Sequence, residues 1–211
     1  MKLSWKIFFS TLLITILTFS IGGYILISSV FQSALDRETN AALEENKMLY
    51  SYLGAVMQNS SSDIQDKGVM LTISESIISH FANDKLAIRI SDGEQNVIAQ
   101  SEDTSNDRDI LKQLEDNSLV YKTIENDGNY YIQTASILQT ANGIMYMETL
   151  HDISSIFMDR ENLFSFYRIL MFGMLAINGL LVFMMTLWAL SPLKRLSNTT
   201  REIAKGKYGD R

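Results

Sequence analysis

The chain has 211 residues, a formal net charge of −6, a mean hydropathy of +0.04 and no cysteine. That length holds one or two domains. The missing thiols exclude a disulfide framework and a thiolate metal site, and nucleic acid is not an expected partner. A mean hydropathy near zero conceals two populations of residues, which separate along the chain.

A short basic start, residues 1–6 with Lys2 and Lys6, leads into residues 7–30, which are 24 positions without a charge. A helix needs about 20 apolar residues to cross a hydrocarbon core of about 30 Å, so this run predicts a first transmembrane helix. The alternative is a cleaved secretory signal. Its apolar region would be shorter, and "TFSIGGYIL" stays apolar past any small-residue cleavage site.

Residues 31–165 carry 22 acids and nine bases and form the predicted extracytoplasmic domain. From 31 to 58 the sequence reads as a helix continuing out of the membrane. It has no proline, and Leu35, Ala42, Leu49 and Val56 recur every seven residues, with Leu53 between the last two. That seam predicts a helix–helix contact between the two copies of a homodimer. "NSSSD" at 59–63 reads as a loop and residues 69–81 as a second helix.

Strands follow. "LAIRI" alternates, with Leu86, Ile88 and Ile90 on one face and Ala87 and Arg89 on the other; "DGEQ" turns the chain and "NVIAQS" returns. Residues 86–101 therefore predict a hairpin. "DILKQLED" predicts a short helix. "SLVYKTIE", "NYYIQTASILQ" and "GIMYMETL" predict three more strands, separated by "NDG" and "ANG" turns whose residues tolerate positive φ. Five antiparallel strands with helices packed on them make an α+β domain.

From Ser154 the chain reads as helix again and enters residues 166–190, the predicted second transmembrane helix, of which 169–190 carry no charge. Asn178-Gly179 interrupts the apolar run, and a membrane asparagine bonds either to a neighbouring helix or to its own backbone. Residues 191–211 set six bases against Glu202 and Asp210. Basic residues beside membrane ends stay on the cytoplasmic side, so both termini are expected inside and the acidic domain outside. Trp5 and Trp188 then fall near the inner interface, where an indole is well solvated.

Chemistry-bearing residues are sparse. His80 and His151 have no ligand partners at metal spacing and read as structural or surface histidines. Glu102, Asp103, Asp107 and Asp109 fall within eight residues. Such carboxylates suit a hard cation, but they lack the spacing of a calcium loop and read as a solvated acidic surface. Arg89, Tyr121, Tyr131 and Tyr146 lie on predicted strands. They read either as a ligand pocket, with Arg89 holding an anionic group, or as ordinary sheet residues. There is no glycine-rich phosphate loop and no nucleophile motif. No catalytic residue, cofactor or metal site is expected.

The last stretch, "SPLKRLSNTTREIAKGKYGDR", predicts a new helix opened by Pro192, with Leu193, Leu196, Thr200 and Ile203 spaced three, four and three, and Gly206 as a stop. With Asp210-Arg211 it resembles the first half of a HAMP domain, the linker of bacterial transmembrane receptors, which would make Pro192, Leu193, Leu196, Ile203 and Gly206 relay residues. The hairpin "IRISDGEQNVIAQS" and the closing "YYIQTASILQTANGIMYMETLHDIS" resemble an extracytoplasmic PAS-like (single Cache) sensor. Together the chain resembles the input half of a sensor histidine kinase. The resemblance implies a homodimer in the lipid bilayer, a small-molecule or peptide ligand outside, and a cytoplasmic response regulator reached through a kinase core that has no counterpart in these residues. A chemoreceptor, a cyclic-nucleotide signalling enzyme, or a membrane-anchored binding or adaptor protein ending at Arg211 are the alternatives.

Overall fold

The structure is a computed structural model describing residues 3–59, 67–101, 108–114, 119–140 and 143–204. The chain divides into two compact units, Met1–Ser29 with Glu161–Arg211, and Val30–Arg160.

The first unit contains the opening part of α1 (Leu3–Asn59) and most of α3 (Ser154–Ala204). Both helices are long and apolar enough to cross a membrane by length and composition, and their most apolar windows are only 11% and 0% buried. A core helix of a soluble domain would have that surface covered by protein. Within the unit Asn178 Nδ2 donates to Thr15 Oγ1 at 3.0 Å, so the membrane asparagine finds a neighbouring helix. The Tyr167 hydroxyl donates to the Phe19 carbonyl. This close approach needs glycine: a Cβ on Gly23 would lie 2.1 Å from the Tyr167 ring.

One expectation is corrected here. Pro192 does not open a helix of its own, because α3 continues through Ser191 and Pro192 to Ala204. Proline removes one N–H from the ladder, and the turns on either side keep theirs, so the helix goes on with one bond fewer. The side chains of Leu193, Leu196 and Ile203, and all of Gly206, lie outside the described residues.

The second unit is α+β. α2 (Lys67–Phe81) follows α1, and then come β1 (Leu86–Asp92), β2 (Val97–Gln100), a 3₁₀ helix (Asp109–Gln113), β3 (Leu119–Asn126), β4 (Asn129–Thr140) and β5 (Gly143–Asp152). Asp109–Gln113 of "DILKQLED" is thus 3₁₀ where an ordinary short helix was expected, and residues 115–116 lie outside the described residues. The strands form one antiparallel sheet in the order β2-β1-β5-β4-β3. Asp92 holds the β1–β2 turn by accepting the N–H groups of Glu94 and Asn96 at 3.0 and 2.8 Å. The β3–β4 turn is the two-residue Asp127-Gly128, with φ of 51° and 81°, the positive values that a tight hairpin needs.

Period-two alternation divides the sheet residues between two faces. One face carries Leu86, Ile88, Ile90, Leu138, Met145 and Met147, and buries them against Leu49, Leu53 and Met57 of α1 and Ile77 of α2. Lower on the same face Ala42 packs with Ile132 and Ile153, flanked by Leu35. Of the seven-residue seam, Ala42 and Leu49 therefore rest on the sheet of their own chain, with Leu35 flanking them and Val56 half-buried. A heptad repeat reports an apolar face without saying which partner covers it.

Leu49 is fully buried and its neighbour Met48 is 53% exposed, so the pair tests this packing directly. Leu49→Ala is expected to cost about 2–5 kcal/mol, and Met48→Ala about 0.5 kcal/mol or less. The measurement is thermal unfolding of the second unit followed by its tyrosine circular dichroism. Equal midpoints for the two variants would contradict the packing.

Candidate functional site

The other face of the sheet is polar at its centre. Antiparallel pairing sets Arg89 of β1 beside Gln100 of β2 and Glu148 of β5, with Ala135 of β4 beyond them. Arg89 and Glu148 are each only 4% exposed. The Arg89 Nε–H donates to Gln100 Oε1 at 3.1 Å, and its guanidinium lies 3.7 Å from Glu148 Oε2. Gln133, one register step along β4, donates from Nε2 to Glu148 Oε1 at 3.4 Å.

A second guanidinium reaches the same carboxylate from outside the sheet. Arg108 stands at the start of the 3₁₀ helix, which Ile110 and Leu111 fasten onto Ala135, Val120 and Tyr146. From there it donates to Ser91 Oγ at 2.7 Å and to the Gln95 carbonyl at 2.5 Å, and lies 3.5 Å from Glu148 Oε2. Its Nε is buried with no hydrogen-bond partner among the described residues.

The electrostatics follow from this geometry. Burial pushes the Glu148 carboxyl above its ordinary value, and the opposing pull of Arg89 and Arg108 does not fully offset it. A buried carboxylate is tolerable only when paired, and removing one partner of such a pair costs about 3–5 kcal/mol. Two guanidinium groups thus meet one carboxylate.

Of the four candidate ligand residues, Arg89, Tyr131 and Tyr146 share this face. Tyr146 packs half-buried against the 3₁₀ helix, and Tyr131 pairs with Asp152 two register steps from Glu148. Tyr121 does not belong to it: it pairs with Thr134 on the helix-covered face and is 51% exposed. The strand parity of β3 puts it there, one residue out of step. Sequence reasoning missed Glu148, Gln133 and Arg108. The signal for Glu148 was available as the one charge inside "GIMYMETL", whereas Arg108 comes from a segment with no periodicity.

His80 is exposed, with its ring edge-on to Phe81. His151 lies on the helix-covered face, beside α1. Of the acidic loop, Asp109 pairs with Lys112 at 2.6 Å; Glu102, Asp103 and Asp107 lie outside the described residues. Among the described residues no three His, Asp or Glu side chains converge on a point that could hold a metal ion. An opening of about 360 Å³ lies between α2 and the β1–β2 hairpin, lined by Met70, Leu71, Asp92, Asn96, Val97 and Ile98 and separate from the charged cluster.

No family model matches the sequence, and no curated protein does. Solved structures do. The ligand-binding domain of a Campylobacter jejuni chemoreceptor in complex with L-norvaline is 14% identical, with 75% of this chain and 63% of that one covered and a TM-score of 0.41. The sensor domain of the zinc-responsive histidine kinase CzcS from Pseudomonas aeruginosa is 16% identical, covering 51% of this chain and 94% of that one, with a TM-score of 0.29. A domain of a sensory box/GGDEF family protein from Vibrio parahaemolyticus is 13% identical over 60% and 62% of the two chains, with a TM-score of 0.33. All three are domains of bacterial sensory proteins. This chain spans less than two thirds of the chemoreceptor domain's length.

Proposed function

We propose that this chain is the input part of a bacterial sensor histidine kinase, and that the second unit takes up a small anionic molecule on the outer side of the membrane. The observation that carries the proposal is the convergence of two guanidinium groups on the polar sheet face, where Arg108 and Arg89 lie 3.5 and 3.7 Å from one Glu148 oxygen and the Arg108 Nε is buried with no hydrogen-bond partner among the described residues. A ligand carboxylate or phosphate accepts from guanidinium donors with strong, directional bonds. Glu148 belongs to β5, which ends at Asp152, and α3 begins at Ser154. A change in the pairing of Glu148 thus reaches the root of α3 along a single strand. The free energy available for signalling is the difference in ligand affinity between two receptor states.

The ligand class is tested on the whole chain in nanodiscs, heated with small monocarboxylates, dicarboxylates and inorganic phosphate beside neutral and cationic controls. An anion is expected to raise the unfolding midpoint of the second unit, by the equivalent of about 2.7 kcal/mol at a hundredfold excess over Kd. Arg108→Ala is expected to abolish the rise. Stabilisation by cations alone, or by an anion equally well in Arg108→Ala, would contradict the proposal.

Assignment to a histidine kinase rests on the resemblance of residues 191–211 to a HAMP linker. It is tested by sequencing the gene beyond codon 211. A phosphoaccepting helix followed by a nucleotide domain is expected, and a long methylated coiled coil or a stop codon would overturn the assignment.

A further inference from the structure

The opposite face of β5 carries a second ionisable arrangement, which the anion site does not use. His151 stands in register with Leu86 of β1 and Ile132 of β4, both buried and apolar, so its direct cross-strand neighbours offer the ring no polar partner. α1 does. Glu38 and Glu45 are seven residues apart and bracket Ala42, whose methyl group packs against Ile132 and Ile153 and lets the helix lie close to the sheet. Glu45 Oε2 is 3.2 Å from His151 Nδ1, and Glu38 Oε2 is 3.7 Å from Nε2. Each ring nitrogen faces a carboxylate of its own.

A neutral imidazole has one N–H and one lone pair, so it serves one carboxylate and turns a lone pair toward the other. An imidazolium donates to both. We propose that His151 is a proton-operated clamp between α1 and β5, closed when the medium around the second unit turns acidic. The other charges nearby are engaged elsewhere. Arg37, largely exposed, lies 3.7 Å from Glu38 on the solvent side. Asp152 accepts the N–H of Ser154 at 2.8 Å and so caps the start of α3. Lys85 meets β5 through its backbone carbonyl. From α3, Arg160 places its guanidinium 4.5 Å over the Phe31 ring.

The hydrogen bond to Glu45 raises the pKa of the His151 ring above its ordinary value, with a further contribution from Glu38 and with burial opposing both. A histidine whose pKa is raised by folding stabilises the fold fully below its unfolded value of about 6.5, and the stabilisation is lost as pH rises through the native value. Acid therefore tightens the attachment of α1 to the strand that leads into α3. The clamp and the anion site occupy opposite faces of β5, so a pH response survives even where no anion binds.

With only two histidines in the chain, carbon-13 labelling of the ring Cε1 gives two NMR signals, and His151→Gln identifies one of them. In the full chain in nanodiscs the His151 signal is expected to titrate with a midpoint above 6.5. Glu45→Gln is expected to lower that midpoint, and Glu38→Gln to lower it by less. The thermal midpoint of the second unit is expected to rise from about pH 8 to about pH 6 in the native chain and to rise less in His151→Gln. Glu148, also raised, is unchanged by that substitution and cancels in the difference. Should His151→Gln fail to fold, Glu45→Gln carries the same comparison. A ring that titrates at or below 6.5, or with one midpoint in the native chain and both glutamine variants, would overturn the clamp.

Discussion

One face of α1, laid along the sheet, is the contact on which the rest of the second unit depends. Glu38, Ala42, Glu45, Asn46, Leu49 and Leu53 follow one another at steps of four, three, one, three and four, which is a single stripe on a helix. Leu49 and Leu53 sit in the apolar cluster against β1 and β5. Asn46, fully buried, donates from Nδ2 to Thr134 Oγ1 at 2.7 Å, and Thr134 is bonded in turn to Thr149. Glu38 and Glu45 then fall beside His151. A slide of the helix would break the apolar contact, the asparagine bond and the histidine pairing together. A buried polar contact between two apolar clusters is well suited to fixing register, because a slipped register leaves it unsatisfied.

The same helix changes surroundings along its length without a break. Over its first half most apolar side chains are exposed, Ile27 being a buried exception, and the same holds over most of the described part of α3. Over its second half the buried apolar side chains gather on the stripe, which protein covers, while Met48 and Tyr52 stand exposed outside it. Lipid can solvate the first pattern and water cannot. β5 shows a comparable division on a smaller scale: Glu148 faces the guanidinium cluster, while Thr149 and His151 face α1. Strand alternation alone puts the guanidinium-paired Glu148 and the glutamate-flanked His151 on one element, back to back.

Most of the element order was legible in the sequence. Period-two runs, "NDG" and the uncharged stretches each have a local cause, so the five strands and the long helices could be read one at a time. What stayed hidden was pairing. The seven-residue seam was real, and its Ala42 and Leu49 pack on the sheet, a partner on which periodicity carries no information. Arg89 was recognisable as a charge within an alternating strand, yet Glu148 and Arg108 become its neighbours only through the register of β1 on β5 and the path of the 3₁₀ helix. Tyr121 was placed with the wrong set because facing direction depends on where a strand starts, and boundaries are the least legible feature of a strand. Pro192 marked a helix start by type, and the backbone simply carried the helix through it.

The central claim is that the two uncovered apolar helices span a bilayer with the second unit outside and both chain ends inside. The chain has no native cysteine, so single thiols report without background. Asn129 is exposed at the β3–β4 turn, and Ser197 follows the second apolar run. With an impermeant thiol reagent on intact cells, Asn129→Cys is expected to label and Ser197→Cys to label only after the cells are opened. Equal labelling of both in intact cells, or of neither, would contradict the account.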